Sequence, residues 1–386
     1  MKDMIKTHYV TMSLRHLVLM TLAAAFCGCG AKEPSDIVAE GAKRFEAGDT
    51  VKAEKLFKEA LAKDAANVDA LVYLTRIALD EGEIEAANEM IGRARELAGK
   101  DSDVLLLSGQ TAYHLKDYQL AKQCFREVVE NMKNAAETRG MGWTGLGICH
   151  SACEEMHLAR AAYLTALRVS PREASAWYHL GLLYRDGFGY YEAALSQLDC
   201  YVRLEAIASP RVQKAQLKLI PALKDTIART LTERKGVQSR DPSACQKELL
   251  AADAAFKRGE FKKARGGYEA ALGKDGLSYP AALGAAKASL KSDGSQAGQR
   301  KALEYYKLAC ILKPSSASTF LTAGELAVKL GNQAMAQELY SRAVAANPVS
   351  TDAIDGLIRA LQKIGDKKSA QAYQSYRDIL KAPRKK

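Results

Sequence analysis

The sequence predicts an all-α solenoid built from short antiparallel helix pairs, and three observations predict it. An alanine recurs about every 34 residues, an apolar residue follows most of these alanines by four positions, and a small residue precedes most of them by twelve. Hydrophobic residues make up 48% of the 386 residues and charged residues 26%, which excludes wholesale disorder. No apolar run reaches the ~18 residues that a spanning helix needs, which excludes a multi-pass membrane protein.

The recurring alanines are predicted to lie on one face of the second helix of each pair. Offsets of four and seven residues return to the same helix face, so Phe57 and Ala60 share a face with Ala53. A small residue twelve positions earlier, such as Gly41, lets the two helices approach closely. One pair cannot bury its apolar faces alone, so neighbouring pairs must stack. The alanine column comprises Ala53, Ala87, Ala121, Ala159, Ala194, Ala264, Ala302, Ala336 and Ala370.

Glycine and proline mark the ends of the predicted helices. A glycine between the two helices of a pair is expected to end the first helix in a left-handed conformation. A proline after the second helix closes it, because its missing N–H costs little there. The turn glycines are Gly48, Gly82, Gly259, Gly331 and Gly365, and the closing prolines are Pro171, Pro314 and Pro348.

These columns together resemble the tetratricopeptide repeat (TPR) family. The fullest match spans 317–350, with Gly324, Gly331, Ala336, Tyr340, Ala343 and Pro348 in phase. The next spans 140–173, with Trp143, Gly147, Ala159, Tyr163, Ala166 and Pro171. The resemblance covers roughly 34–208 and 245–384. It implies a right-handed solenoid of about nine units in two arrays, with a concave groove that binds peptides or partner helices.

Charge and spacing divide the repeats into two arrays. Residues 30–207 carry 21 basic and 28 acidic residues, whereas residues 208–386 carry 32 basic and 16 acidic residues. We therefore expect an acidic array of about five repeats over 34–208 and a basic array of about four over 245–384. Residues 209–244 are interpreted as a helical connector or a degenerate repeat. Irregular steps predict an extra turn near 136–139, one extra residue within 186–191 and a long loop at 292–299.

The N-terminus has the pattern of an export signal. Lys2, Lys6 and Arg15 precede an apolar run of ten residues, 17–26, which suits a signal peptide and is too short to span a membrane. Phe26-Cys27-Gly28-Cys29 resembles a bacterial lipobox, which predicts a signal peptide over 1–28, a lipidated Cys29 and a tether over 29–36. Neutral Gly30 resembles the signal for sorting to the outer membrane, with the protein facing the periplasm.

Several alternatives for the N-terminus stay open. Met1 and Met12 are both candidate start residues. Cys27 is the poorer acceptor of the lipid because bulky Phe26 precedes it. Cleavage after 23–25 without lipid would give a soluble periplasmic protein. An uncleaved anchor is the third possibility.

Motifs for catalysis or metal binding are weak. The sequence holds no HExxH, P-loop or GxSxG pattern. Residues 140–145 match GxGxxG, but a helix is predicted before them where a dinucleotide site needs a strand. Cys149, His150, Cys153 and His157 lack the spacing of a structural zinc site. We therefore predict no enzyme activity, no metal, no cofactor and no nucleic-acid partner.

The resemblance implies that the last turn of each first helix presents one residue to the groove. In the basic array all four of these residues are lysines: Lys257, Lys291, Lys329 and Lys363, with Lys287 and Arg359 one turn earlier. Either the helix dipole and family habit explain them, or they grip an extended acidic partner. The corresponding acidic-array residues are Glu46, Asp80, His114, Ala152 and Asp186. Their neighbours Phe45, Leu79, Tyr113 and Tyr178 predict a more apolar groove, suited to an amphipathic helix.

The predicted function is a non-catalytic scaffold of the bacterial cell envelope. The chain resembles the TPR lipoproteins of outer-membrane assembly, pilus and polysaccharide-export machines, and its motifs do not choose among the three. Two alternatives remain open. One is binding of an anionic envelope polysaccharide by the basic array, and the other is self-assembly of acidic on basic arrays.

Overall fold

The computed structural model describes residues 32–205 and 241–382, together with residues 221, 222, 225, 226 and 229. These residues form eighteen α-helices and one short π-helix, and they contain no β-strand. The export signal, Cys29 and most of 209–244 lie outside the described residues. The chain groups into two compact units. The first contains residues 1–179 and 201–214, and the second contains residues 180–200 and 215–386.

The first unit is built from consecutive helix pairs. Its first eight helices are α1 (Pro34–Glu46), α2 (Thr50–Lys63), α3 (Val68–Glu81), α4 (Ile84–Ala98), α5 (Ser102–His114), α6 (Tyr118–Glu130), α7 (Ala136–Ala152) and α8 (Met156–Val169). A fifth pair follows, α9 (Ala174–Leu182) and α10 (Tyr191–Glu205), and residues 180–200 of this pair group with the second unit.

The second unit contains four complete helix pairs. They are α11 (Pro242–Lys257), α12 (Phe261–Lys274), α13 (Tyr279–Ser292), α14 (Gln296–Leu312), α15 (Ala317–Lys329), α16 (Gln333–Ala346), α17 (Thr351–Lys363) and α18 (Lys367–Lys381). Consecutive helices pack against each other from α1 through α8 and from α11 through α18, and several successive first helices also touch. This nearest-neighbour packing confirms the predicted all-α solenoid.

Local signals in the sequence explain where the helices begin and end. Side chains of Asp49, Asn67 and Ser350 accept backbone N–H groups in the first turns of α2, α3 and α17. All five turn glycines have φ between +76° and +90°, which confirms the left-handed caps. Lys116 and Glu154 take the same conformation without a glycine, at φ 64° and 59°.

The alanine column lies in the core, as predicted. All nine alanines are 2% exposed or less. In several pairs a ring from the second helix fills the space beside the small residue: a Cβ added at Gly324 would stand 2.8 Å from the Tyr340 ring, and one at Gly109 would stand 2.7 Å from the Phe125 ring. The same rings also touch the following pair, since Gly356 faces Tyr340 and Gly145 faces Phe125. Tyr340 and Phe125 therefore each pack within their own pair and against the next one.

The irregular steps are absorbed inside helices. The extra turn near 136–139 is confirmed, because α7 begins at Ala136 and is 17 residues long. The extra residue near 186–191 coincides with a π-helix over Leu183–Gly187, whose wider turn accommodates one more residue. The long loop predicted at 292–299 is wrong. Ser295 caps α14 by accepting the N–H of Gly298, so these residues form an added first turn of that helix.

Candidate functional site

The lysine column, Lys257, Lys291, Lys329 and Lys363, lies in the last turns of α11, α13, α15 and α17. All four side chains are exposed. None of them makes an ion pair with a described residue, although other lysines of the same unit, such as exposed Lys301 and half-buried Lys307, do. The column is therefore a set of solvated cations on successive first helices.

Close packing against tyrosine rings shows that Lys291 and Lys363 occupy equivalent positions in their repeats. Gly284 and Gly356 each face the tyrosine ring of the preceding pair, Tyr268 and Tyr340 respectively. Lys291 and Lys363 lie seven residues after these two glycines. The step from Ala264 to Ala302 is four residues longer than the usual 34. These four residues lengthen α14, so Lys291 keeps the same position relative to the preceding tyrosine ring as Lys363 does.

A second row of charges lies one helical turn before the lysine column. The charges of its members alternate in sign along the unit. The sequence-based prediction included the two cations of this row but not the two anions. All four are exposed, and the Tyr268 hydroxyl donates a hydrogen bond to one of them, Asp253. The offset of four residues from each lysine could have revealed the whole row. The row comprises Asp253, Lys287, Glu325 and Arg359.

The apolar residues predicted for a groove in the first unit are more buried than expected. Phe45, Leu79 and Tyr113 are half-buried and pack against the core clusters of the unit. The prediction for Tyr178 is wrong, because its side chain is 4% exposed and packs against Tyr201, with ring centroids 5.1 Å apart. Tyr178 is a core residue and is not presented to a partner.

A shallow pocket on the first unit was not foreseen from the sequence. Arg76 on α3 and Asp103 on α5 form an ion pair of 3.4 Å at its rim, with side chains 13% and 30% exposed. The Arg76 guanidinium also lies 5.4 Å from the centre of the Tyr73 ring. The remaining lining residues are Leu106, Leu107, Gln110, Phe125 and Met141. An apolar floor beside a few fixed polar groups is the general character of ligand sites in proteins.

The cysteine and histidine cluster forms a clasp between helix pairs. Lys122 on α6 donates to the Oε2 atom of Glu155 at 2.7 Å, and its Nζ atom lies 3.4 Å from Cys153 Sγ. The Nδ1 atom of His150 lies 2.6 Å from the same Glu155 oxygen. Burial alone would raise the pKa of Glu155, but hydrogen bonds from Lys122 and His150 outweigh it and lower that pKa.

The other chemical motifs of this region have structural roles. Burial raises the pKa of the Cys149 thiol to about 12, so the thiol stays protonated at neutral pH. Within the described part of the chain, no group of three or more potential ligands is arranged to hold a metal ion. Residues 140–145 lie inside helix α7, where Gly142 faces Val128 and Val129 and Gly140 faces Ser170. Their glycines serve close helix packing.

These features define a helical-repeat protein with exposed charges on its first helices. Profiles of the tetratricopeptide repeat match residues 44–111, 102–131 and 156–204. These matches support a tetratricopeptide repeat protein over the ranges that they cover. No curated protein matches its sequence. Among the described residues, no helix is both long and apolar enough to cross a membrane.

Solved structures of similar shape are distant. The crystal structure of MamA protein is 21% identical, with 45% of this chain and 92% of that chain covered and a TM-score of 0.34. PilF of Pseudomonas aeruginosa is 18% identical, with 51% and 91% covered and a TM-score of 0.40. The APC/C hetero-tetramer Cut9–Hcn1 is 14% identical, with 91% and 79% covered and a TM-score of 0.36. Similarity at this level assigns no function.

Proposed function

We propose that this protein is a non-catalytic scaffold of the bacterial cell envelope that binds partner proteins on its first helices. A lipid on Cys29 would hold it at the outer membrane, facing the periplasm. The TPR fold supports the scaffold role, because its repeats are typical of protein–protein interaction. The basic start, the short apolar run and the lipobox-like Phe26-Cys27-Gly28-Cys29 support the location.

The observation that carries the proposal is the lysine column of the second unit. Four exposed lysines, unpaired with described residues, recur at one register on successive first helices. Such a surface attracts an acidic segment of a partner protein. Each exposed contact is worth about 0.2–1 kcal/mol, so the column contributes to association rate and specificity more than to affinity.

The first unit offers a different surface, suited to the apolar side of an amphipathic helix. The pocket beside Arg76 and Asp103 has Leu106 and Phe125 in its floor, and both are 5% exposed or less. Exposed Glu46 and Asp69 on α1 and α3 would favour a helix with basic flanks. Two units with unlike surfaces would allow one chain to join two partners.

The first test is a cross-linked pull-down from native membranes with the full-length protein. The test variant changes Lys257, Lys291, Lys329 and Lys363 to Glu. The matched control changes four exposed lysines of second helices to Glu: Lys262, Lys274, Lys367 and Lys368. Circular dichroism first confirms that all three proteins fold. We expect a defined partner with wild type and control that is lost with the test variant; the same partner with all three would refute a role for the lysine column.

The lipid anchor has its own test. Cells expressing the protein are fed an alkyne-labelled fatty acid, and labelling is compared among wild type, Cys29→Ala and Cys27→Ala. Cleavage and acylation at Cys29 predict labelled wild type and C27A but unlabelled C29A. Label that disappears only in C27A would place the lipid on Cys27 instead of Cys29. An unlabelled wild type would favour a soluble periplasmic protein.

The unequal charge of the two halves supports two alternatives that measurements separate. If the basic array binds an anionic polysaccharide, its affinity for that polymer falls steeply as salt is added, and the complex has no defined stoichiometry. If acidic arrays bind basic arrays of other copies, light scattering at low salt shows a mass that grows with concentration. A constant monomer mass would exclude self-assembly.

A further inference from the structure

We propose that Lys122 and Cys153 form a covalent link between the third and fourth helix pairs of the first unit when the protein is oxidised. Lys122 lies on α6, and Cys153 follows α7 in the turn before α8. Hydrogen peroxide would oxidise the Cys153 thiol, and the Lys122 nitrogen would then bond to its sulfur. The link goes beyond the proposed function, because it needs neither a partner protein nor the lysine column.

The two reacting atoms are already close together. Lys122 Nζ lies 3.4 Å from Cys153 Sγ, although the two residues are 31 positions apart in the sequence. Atoms held about 3–3.5 Å apart react as if they were at very high concentration, because the entropy of bringing them together is already lost. Lys122 is 7% exposed, so burial restricts the freedom of its side chain. The fold therefore holds an amine and a thiol in position to combine.

The surroundings of Cys153 differ from those of the two cysteines nearest to it in the repeat. Cys124 and Cys149 are 0% exposed, whereas Cys153 is half-buried and open to a small oxidant. Burial raises the pKa of both buried thiols, that of Cys149 to about 12, so both stay protonated at neutral pH. Reactive cysteines typically lie beside a cation in a partly exposed place, and Cys153 beside Lys122 does so. We therefore expect oxidation to begin at Cys153.

The reaction has two steps, and both balance. In the first step, peroxide transfers one oxygen atom to the Cys153 sulfur, which gives a sulfenic acid and one water molecule. In the second step, the lone pair of Lys122 Nζ forms a nitrogen–sulfur bond while the sulfur–oxygen bond breaks. The leaving hydroxide takes one proton from the nitrogen and departs as water. The product is a sulfenamide, in which the two side chains have lost two hydrogen atoms and peroxide has accepted two electrons.

Glu155 supplies the base that the second step needs. Burial alone would lower the pKa of Lys122, but the hydrogen bond to Glu155 outweighs it and raises that pKa, so the nitrogen is an ammonium at neutral pH. Before it attacks, the nitrogen must give up one proton, and Glu155 Oε2 accepts its hydrogen bond at 2.7 Å. His150 Nδ1 lies 2.6 Å from the same oxygen and can share that proton. Glu155 is therefore a positioning residue and proton acceptor for the link.

The link would restrain a helix that its sequence weakens. Glycine in a helix interior costs stability, and α7 contains four glycines: Gly140, Gly142, Gly145 and Gly147. A covalent tie from the end of α7 to α6 limits the opening of the fourth pair. In the oxidised wild type, amide hydrogens of α7 should exchange more slowly than in the reduced protein.

The test is peptide mapping of the full-length protein after treatment with hydrogen peroxide. Free thiols are alkylated, and the protein is digested with trypsin without reductant. Without the link, trypsin cleaves after Lys122 and separates residues 117–122 from 123–126. With the link, we expect residues 117–126 to stay intact and joined to residues 140–160, two hydrogen atoms lighter than the two peptides together. Dithiothreitol should release both peptides.

Four variants, checked for folding by circular dichroism, assign the atoms of the link. Cys153→Ser and Lys122→Arg should not form it; arginine keeps the positive charge beside Glu155, but its guanidinium stays protonated and does not attack sulfur. Cys149→Ser is the matched control and should form the link as wild type does. Glu155→Gln should still form the sulfenic acid, which dimedone traps, but should lose most of the linked product.

Each contrary result overturns a stated part of the proposal. Oxidised Cys153 with normal cleavage after Lys122 would show that no link forms. A joined peptide that contains only residues 123–126 would be a disulfide of Cys124 and would replace the link. A linked product that persists in Lys122→Arg, or disappears in Cys149→Ser, would assign it to other atoms. Equal yields in wild type and Glu155→Gln would remove Glu155 as the proton acceptor.

Discussion

The first and second units share their packing residues and differ in the charges that their first helices present. Phe57 in the first unit and Tyr340 in the second occupy the same place, each beside a glycine of the preceding helix, Gly41 and Gly324. In the last turn of a first helix, however, the first unit has Glu46 at the position where the second unit has the lysines of the lysine column. Packing positions and surface positions of this repeat therefore vary independently, so one scaffold can carry two binding surfaces.

The largest expected effect comes from breaking the shared packing. Phe57→Ala and Tyr340→Ala each remove a buried ring, 0% and 3% exposed, and should cost about 3–5 kcal/mol of stability. Because repeat proteins are stabilised by nearest neighbours, each loss should be concentrated in its own unit. Hydrogen exchange by mass spectrometry measures this. Protection lost equally in both units after one substitution would show that the units are not separable.

Substitution of the glycines beside the rings should have the next largest effect on stability. Gly324→Ala places a methyl group 2.8 Å from the Tyr340 ring and should cost about 1–3 kcal/mol in urea unfolding. Gly92, inside α4, has open space around it and is the matched control. Gly92→Ala should stabilise the protein by up to about 1 kcal/mol, because alanine favours the helix. Equal effects of the two substitutions would contradict the close-packing account.

The cluster of Lys122, His150 and Glu155 should make the first unit sensitive to acid. The lowered pKa of Glu155 means that its contribution is complete above the ordinary value of 4.5 and is lost as pH falls through the lowered value. Glu155→Gln should cost about 1–2 kcal/mol at neutral pH, since Lys122 is 9% exposed and loses its charged partner.

The control for this prediction is the pH profile itself. Thermal unfolding of wild type and Glu155→Gln should differ at pH 7 and converge toward pH 3. A constant difference across that range would mean that the carboxylate charge is not what stabilises the clasp.

The smallest expected effect concerns the turns inside the pairs. The second unit has Gly331 at φ 76°, whereas the first unit has Lys116 at φ 64° in the equivalent turn. A left-handed conformation costs most residues about 1–2 kcal/mol. Gly331→Ala should therefore lower stability by about 1 kcal/mol, and Lys116→Gly should raise it by a similar amount. Chemical denaturation of the two variants checks the opposite signs.

Much of the fold could be predicted from periodicity. The alanine column, the turn glycines and the extra turn of α7 are local patterns with a direct structural meaning, and all are observed. The loop predicted at 292–299 failed because Ser295 supplies a helix cap that the glycine-rich composition concealed. The exposure of Tyr178 was misjudged because helix register places a residue on a face but does not say what covers that face.

The sequence by itself determined the helix pairs, their order and the four lysines at one register, because these depend on spacing along the chain. Only the tertiary structure decided which side chains meet across pairs. The ion pair of Arg76 with Asp103, the burial of Tyr178 and the clasp of Lys122 with Glu155 each join residues at least 23 positions apart. Such contacts depend on how stacked helices pack side chain against side chain, and repeat periodicity contains no information about that fit.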